Sequence, residues 1–276
     1  MKFDITVVGI GPVGEALVSI LKERNFPCNW PPTVCATTKR EQVIDGEKFT
    51  VYETSAVAMR HADIVLFAGK EGAKGASVQW SQTALDAGAY CIDNGSDFRM
   101  DPNVPLVIPE VNMDVVNENT RFIASPNCST IQMVVALAPI HKAAKIKRIV
   151  VSTYQAVSGW GKAAMEELNR QLKMVIENSE NVQYDPTIFA QPIAMNYFPH
   201  IDKFTEDGYT KEEHKMINET RKILGDYSIK ITATTVRVPI MVGHGESINI
   251  ETEKHISADE VRELLKNSPG ITLMDD

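Results

Sequence analysis

The chain of 276 residues is long enough for one large domain or two ordinary ones, and its 43% hydrophobic content is typical of a globular protein with an apolar core. Its formal net charge of −8 argues against a nucleic-acid-binding protein, which would carry a basic patch. Neither a secretory signal nor an apolar run of the roughly 18 residues that span a bilayer is present, so we expect a cytoplasmic protein without a membrane partner.

The first half of the chain alternates short, β-branched strands with helices. A predicted strand at residues 5–10 is followed by an amphipathic helix at residues 11–24. One face of that helix is predicted to hold Val13, Leu17, Ile20 and Leu21. Further predicted elements are strands at residues 33–37, 62–69 and 89–93 and a helix that ends at Gly88. This alternation indicates a parallel sheet, so we predict an α/β fold with a Rossmann-type, doubly wound nucleotide-binding domain.

A glycine motif lies between the first strand and the first helix, where a dinucleotide-binding fold requires it. Residues 9–14 read GIGPVG and fit GxGxxG, whose glycines permit a tight turn and the close approach of a pyrophosphate to the helix N-terminus. The residues predicted to bind the cofactor here are Gly9, Gly11, Pro12, Val13 and Gly14. The alternative interpretation is a tight turn without a ligand.

The segment after the second predicted strand favours NADP over NAD. An NAD site has an acidic residue about 20 residues after the glycines, which holds the ribose hydroxyls. Residues 37–40 read TTKR and contain no acid. Hydroxyls and cations suit a 2′-phosphate, so we predict that Thr37 and Lys39 bind the cofactor. The alternative is that Lys39 and Arg40 belong to a solvated loop.

One of the four cysteines is a candidate nucleophile. The cysteines show no CxxC or zinc spacing, so we expect no metal site and no disulfide framework. Cys28, Cys35 and Cys91 lie in or beside apolar segments and are predicted to be structural. Cys128 precedes an apolar run with helical spacing, so it lies at a helix N-terminus, where the dipole and free N–H groups lower the pKa of a thiol. The alternative for Cys128 is one more small buried residue.

A nucleotide-binding fold and a thiol at a helix start together suggest a class of chemistry. The thiolate attacks an aldehyde, a hydride passes to the nicotinamide, and phosphate or water cleaves the remaining thioester. His244 lies in a glycine-rich turn between two predicted strands and is the candidate acid/base group, because imidazole transfers protons near neutral pH. A lone histidine in a turn is also common as a surface residue.

Polar residues at other strand and helix ends are further candidates. Arg99 follows the fourth predicted strand, where a doubly wound sheet binds ligands, and is a candidate for phosphate binding or a loop salt bridge. Gln155 lies at a strand end. The turn after it contains two more predicted cofactor-binding residues, Ser158 and Gly159. Glu212 and Lys215 share a helix face, as a binding pair or as a surface ion pair.

Five blocks of sequence resemble aspartate-β-semialdehyde dehydrogenases, in order and along essentially the whole chain. They read SPNCSTIQMVVAL, STYQAVSGWGKAAMEEL, NYFPHIDKF, GYTKEEHKMINETRKI and RVPIMVGHGES. Glyceraldehyde-3-phosphate dehydrogenases and N-acetyl-glutamyl-phosphate reductases are less similar around the cysteine. The resemblance implies NADP-dependent reduction of 4-phospho-L-aspartate to its semialdehyde with release of phosphate. It also implies a role in lysine, methionine and threonine biosynthesis and a homodimer or homotetramer.

The resemblance further implies the roles of the reacting residues. Cys128 would be the nucleophile that forms the thioester, and His244 would be the acid/base group. Gln155 would orient the substrate near the thiol, and Asn127 would help to position the reacting group.

Charged residues that match the family would bind the substrate. Arg237 would bind its α-carboxylate, and Glu212 would hold its amino group. Arg99 and Lys215 would form the phosphate site. A substrate with charges of both signs explains why one pocket needs both an acid and arginines.

Two features depart from the family pattern. The glycine loop is one residue shorter than the usual GxTGxVG, and the chain stops at Asp276, where relatives continue to a last helix. We expect an incomplete sequence of an active enzyme rather than a natural short variant or a degraded homologue. The predicted domains are an NADP-binding domain at residues 1–129 and an α+β catalytic and dimerisation domain at residues 130–276. The alternative functions are a related acyl-phosphate reductase and a catalytically silent NADP-binding homologue.

Overall fold

A computed structural model of the chain describes residues 2–69, 71–177 and 187–275. The chain divides into two compact units, one formed by Met1–Val107 and Met113–Pro126 and the other by Ile108–Asn112 and Asn127–Asp276. The assignment of residues 1–129 and 130–276 to two functional domains stays a prediction. Within the described ranges, no helix combines the length and the apolar character needed to cross a bilayer.

The first unit contains a sheet with helices between its strands. Its elements are β1 (Ile5–Val8), α1 (Pro12–Glu23), β2 (Thr33–Ala36), β3 (Arg40–Ile44), β4 (Glu47–Glu53), α2 (Ala56–Met59), β5 (Ile64–Phe67), α3 (Ala76–Asp86), β6 (Tyr90–Asp93) and β7 (Phe122–Ala124). The described strands form a seven-stranded sheet in the order β3-β4-β2-β1-β5-β6-β7. Neighbouring strands are parallel, except that β3 is antiparallel to β4.

Helices cover both faces of this sheet. Val7 of β1 packs in one core with Val18 of α1, whereas the next residue, Val8, packs in a second core with Met59 of α2. The two valines point to opposite faces because successive side chains alternate along a strand. Every residue of β1 is buried, which explains its continuous run of β-branched residues. The predicted doubly wound α/β fold is confirmed.

The buried face of α1 agrees with the predicted one in part, because Leu17 and Leu21 pack against the core that contains Val18. Val13 and Ile20 were expected in the core, but they are 45% and 42% exposed. Gly14 and Val18 are the buried residues of the helix. A Cβ atom on Gly14 would collide with the carbonyl oxygen of Gly9, so the helix lies closest to the sheet at this glycine.

A hairpin at the sheet edge was not predicted. Strands β3 and β4 pair antiparallel around a turn in which Asp45 and Gly46 both have positive φ angles. Arg40, which the alternative interpretation placed in a solvated loop, is the first residue of β3. The hairpin therefore adds an antiparallel edge to an otherwise parallel sheet.

The second unit combines a small mixed sheet with helices. Its elements are α4 (Pro109–Asn112), α5 (Cys128–Ala144), β8 (Ile146–Gln155), α6 (Lys162–Glu177), α7 (Lys211–Leu224), β9 (Lys230–Arg237), β10 (His244–Thr252) and α8 (Ala258–Lys266). The described strands form a three-stranded sheet in the order β10-β8-β9. Strand β8 is antiparallel to β10 and parallel to β9. One sheet face packs on the helices, where Ile149 of β8 shares a core with Met133 of α5 and Met216 of α7.

Candidate active site

The candidate nucleophile is the first residue of a helix. Cys128 begins α5, and the Oδ1 atom of Asn127 caps the helix by accepting hydrogen bonds from the backbone N–H groups of Ser129 (3.0 Å) and Thr130 (3.3 Å). The Cys128 thiol is exposed, whereas the other cysteines are buried. The predicted position at a helix N-terminus is therefore confirmed, and the alternative of a small buried residue is wrong for Cys128.

The imidazole of His244 lies next to this thiol. Its Nε2 atom is 3.3 Å from the Sγ atom of Cys128, and its Nδ1 atom accepts a hydrogen bond from the backbone N–H of Ala156 at 3.0 Å. Because Nδ1 accepts, the neutral ring carries its proton on Nε2, where it faces the sulfur. His244 is thus a contact of the thiol rather than an isolated surface histidine.

Its surroundings favour the neutral form of His244. Burial has the largest effect and lowers the pKa of the imidazole, and the positive charge of Arg237 lowers it further. The backbone of Gly243 and the negative charge of Glu212 raise this pKa. The net shift is downward, so the ring is neutral at pH 7. A neutral imidazole with its proton on Nε2 can stabilise a thiolate through a hydrogen bond, and it becomes a proton donor once it takes up a second proton.

Strand register brings three predicted residues together. His244 of β10 pairs with Gln155 of β8, and Gln155 pairs with Arg237 of β9, so the three lie side by side across the sheet. Gln155 and Arg237 are buried. A Cβ atom on Gly159 would lie 3.6 Å from Arg237 Nη1 and 3.8 Å from His244 Nε2, which places this glycine beside the same residues.

The guanidinium of Arg237 is anchored by the backbone. Its Nη1 atom donates to the carbonyl oxygen of Ala156 at 2.5 Å. Burial lowers the pKa of Arg237, and the nearby Glu212 carboxylate and Cys128 thiol raise it. An arginine remains charged after such a shift, so this group provides a fixed positive charge beside the thiol.

The carboxylate of Glu212 connects most of the remaining candidates. Its Oε1 atom accepts hydrogen bonds from Asn127 Nδ2 (2.9 Å) and Gln155 Nε2 (3.0 Å), and its Oε2 atom lies 3.3 Å from Lys215 Nζ. Lys215 also pairs with Asp202 at 3.2 Å. The expected ion pair exists, but Glu212 is only 5% exposed, so the pair does not lie on a plain surface.

A second glutamate of α7 was missed by the sequence analysis. Glu219 is 1% exposed, and its Oε2 atom accepts a hydrogen bond of 2.6 Å from the backbone N–H of Asn127. It follows Glu212 by seven residues, so both project from the same helix face. Together they hold the side chain and the backbone of the residue before Cys128. The spacing of seven residues between Glu212 and Glu219 was the signal in the sequence that the two share a helix face. Nothing in the sequence indicated that Glu219 is buried, because acidic residues are common on the exposed face of a polar helix.

The glycine loop of the first unit has the geometry that the motif predicts. Gly9 has a φ angle of +96°, and a Cβ atom there would collide with the backbone of Gly69. Gly11 is the N-cap of α1 with open space around it, and Pro12 is the first helical residue, where a missing N–H costs nothing. The loop therefore leaves a backbone cradle at a helix N-terminus that fits the pyrophosphate of a dinucleotide.

The other first-unit candidates follow strand ends. Thr37 and Lys39 are exposed in the loop after β2, and the segment has no acidic side chain before Glu41. Arg99 is buried, and it donates from Nε to the carbonyl oxygen of Ser125 and from Nη2 to that of Asn94, both at 2.9 Å. Both of these acceptors are backbone carbonyl oxygens, so the loop backbone positions the guanidinium.

Comparisons with known proteins agree with both halves of the chain. Residues 4–119 match the family model described as "Semialdehyde dehydrogenase, NAD binding domain", and residues 137–276 match "Semialdehyde dehydrogenase, dimerisation domain". The chain is 47% identical over 282 residues to the aspartate-semialdehyde dehydrogenase of Aquifex aeolicus, a match that covers 100% of this chain and 81% of that protein. The chain belongs to the aspartate-semialdehyde dehydrogenase family.

Other aspartate-semialdehyde dehydrogenases support this assignment. The Bacillus subtilis protein is 42% identical, with 99% of this chain and 80% of that protein covered. The crystal structure of aspartate semialdehyde dehydrogenase II from Vibrio cholerae superimposes with a TM-score of 0.92 at 40% identity and covers 99% of this chain and 82% of that one. The predicted family and fold class are confirmed.

Proposed function

We propose that this chain reduces 4-phospho-L-aspartate to L-aspartate 4-semialdehyde and releases phosphate, with NADP as its cofactor and a thioester on Cys128 as the intermediate. One observation carries the proposal: the exposed thiol at the start of α5 lies 3.3 Å from His244 Nε2. The named function of the similar proteins fits this chemistry, and a Vibrio cholerae relative has been crystallised in complex with ASA.

The reaction begins at the sulfur of Cys128. The thiolate attacks the acyl-phosphate carbonyl, a C–S bond forms, and the C–O bond to phosphate breaks. When protonated, His244 is placed to give its Nε2 proton to the departing phosphate, which leaves the neutral ring. When bound, NADPH supplies the hydride that reduces the thioester carbon. Collapse of the resulting thiohemiacetal breaks the C–S bond and restores the Cys128 thiolate.

Buried charges suit a substrate with both an amino group and carboxyl groups. We assign the α-carboxylate to Arg237, whose guanidinium is held by backbone, and the amino group to Glu212. Asn127 and Gln155 hydrogen-bond to the Glu212 carboxylate, which fixes it near the thiol. Lys215 and Arg99 remain our candidates for phosphate binding.

NADP is proposed from the loops that follow the first two strands. The backbone of Gly9, Gly11 and Gly14, with Pro12 and Val13 at the helix start, would hold the pyrophosphate. The 2′-phosphate would be held by Thr37 and Lys39. An acidic side chain in this segment would repel the phosphate, and the segment has none before Glu41. Ser158 and Gly159 are proposed as cofactor-binding because Gly159 lies beside His244.

The match of residues 137–276 to a dimerisation-domain model supports a homodimer or homotetramer. We further propose a cytoplasmic location and a role in lysine, methionine and threonine biosynthesis.

The test is reduction of NADP by L-aspartate semialdehyde, with and without phosphate, by this 276-residue protein and its Cys128→Ser and Cys91→Ser variants. Cys91 is a matched control because it is buried. We expect phosphate-dependent turnover that Cys91→Ser retains and Cys128→Ser abolishes. Turnover in Cys128→Ser would contradict the nucleophile. Activity confined to another acyl phosphate would indicate a related reductase, and bound nucleotide with an unreactive thiol would indicate a silent homologue.

A further inference from the structure

A carboxylate on β10 has no part in the mechanism above. Glu246 follows His244 by two residues, so both side chains project from the same face of the strand, about 7 Å apart. The next residues on this face, Ile248 and Ile250, pack against the apolar core. Glu246 therefore occupies a position that an apolar residue would be expected to fill.

The surroundings of Glu246 leave its carboxylate without compensation. Both oxygens are inaccessible to solvent, and in the described part of the chain neither has a hydrogen-bond partner. Its register partner on β8, Thr153, is fully buried. Burial raises the pKa of Glu246 to about 7, and the Gln132 side chain of α5 opposes this rise. An uncompensated carboxyl group in a protein interior is costly, which makes it a candidate for a functional role.

The elements that pack against Glu246 also carry the reacting groups. Gln132 lies one helical turn after Cys128, so both project from the same face of α5. The titratable groups on the faces that meet here are Cys128 of α5 and His244 of β10. The charges of Arg237 on β9 and Glu212 on α7 act on His244, and Thr153 is the polar residue that β8 contributes.

We propose that Glu246 is a positioning residue for the proposed reaction, which sets the protonation of the Cys128–His244 pair through its own charge. When Glu246 is protonated, no charge opposes the thiolate. When it ionises, a negative charge about 7 Å from His244 along the strand favours the imidazolium and the protonated form of the thiol beside it. At an effective dielectric constant of about 20 to 40, such a charge raises the pKa of a neighbouring group by about one unit or more. The neutral form of Glu246 is therefore the active form.

The test uses the rate of Cys128 alkylation by iodoacetamide between pH 5 and 9, without substrate or cofactor. The other cysteines are buried, and the rate of Cys128→Ser is subtracted as background. Glu246→Gln removes the charge at constant shape, and Glu246→Met removes it together with the polar group. Glu251→Gln is the matched control, because Glu251 lies on the opposite, exposed side of the same strand and pairs with Arg148.

We expect the midpoint of the alkylation profile to fall by about one pH unit in Glu246→Gln and Glu246→Met and to stay unchanged in Glu251→Gln. Equal midpoints in the wild-type protein and both Glu246 variants would overturn the inference, as would an equal shift in Glu251→Gln. The proposed function is judged separately by turnover. A shifted midpoint without turnover would support the role of Glu246 and count against the proposed reduction of 4-phospho-L-aspartate. Turnover without a shifted midpoint would support that reaction and count against the role of Glu246.

Discussion

Replacement of Glu246 by glutamine should stabilise the protein above neutral pH and not below pH 5. In the fold the pKa of Glu246 is raised by burial from 4.5 to about 7. The folded state therefore holds a proton that the unfolded chain loses at lower pH. This contribution to stability is present in full below pH 4.5, falls as the pH rises and is lost above about pH 7.

The size of the effect follows from this shift. A rise from 4.5 to about 7 corresponds to about 3 kcal/mol if the whole shift is counted. Because part of the residue is exposed, we reduce the expected cost of the ionised form to about 2 kcal/mol. For a unit of this size that amounts to a difference of about 4 to 8 °C in Tm.

The assay is calorimetric unfolding of the wild-type protein, Glu246→Gln and Glu251→Gln at pH 5 and pH 8, at one protein concentration. We expect the Tm of Glu246→Gln to exceed that of the wild type at pH 8 and to approach it at pH 5. All other titrating groups are common to both proteins, so the change between the two pH values isolates Glu246. An equal offset at both pH values would refute the reasoning, because it would show an effect of packing and not of charge.

Three further variants test the site and the fold. His244→Asn should reduce turnover by a factor of about 10² to 10⁴. Because the pKa of His244 is lowered, the turnover rate of the wild-type protein should decline on the acid side only below pH 6.5. A pH–rate profile of both proteins checks the two expectations. Glu219→Ala leaves the backbone N–H of Asn127 unpaired, which should cost about 1 to 3 kcal/mol and slow alkylation of the thiol. Glu167→Ala removes the acceptor for the N–H and hydroxyl of Thr187, and urea unfolding should show a loss of about 3 kcal/mol.

The first unit was largely predictable because local signals determine it. Runs of β-branched residues gave the parallel strands, and the glycine motif gave the first turn. The hairpin of β3 and β4 was missed because its charged residues resemble a solvated loop. Its turn nevertheless contains Asp45-Gly46, a dipeptide that favours the positive φ angles observed there, and the alternating residues on either side complete a hairpin signal.

The site was predictable residue by residue but not as an arrangement. The position of Cys128 could be predicted because Asn127 is a strong N-cap. The pairing of Gln155 with Arg237 and His244 depends on strand register between segments that are distant in sequence, and neither periodicity nor composition specifies that register. The family resemblance suggested the roles of these residues without showing which of them contact each other.

Glu212, Glu219 and Glu246 of the second unit lie on elements that surround the site, and these three glutamates differ in their hydrogen-bond partners. Glu212 accepts hydrogen bonds from two side-chain amides and pairs with Lys215, while Glu219 accepts the N–H of Asn127. Both carboxylates have donors that stabilise their charge. The two carboxyl oxygens of Glu246 have no hydrogen-bond partner within the described residues; the Gln132 side chain offsets the effect of burial only in part, and the pKa is raised to about 7. The sequence shows three acidic residues of the same type, whereas the structure distinguishes Glu246 by carboxyl oxygens that are buried without a hydrogen-bond partner in the described part of the chain.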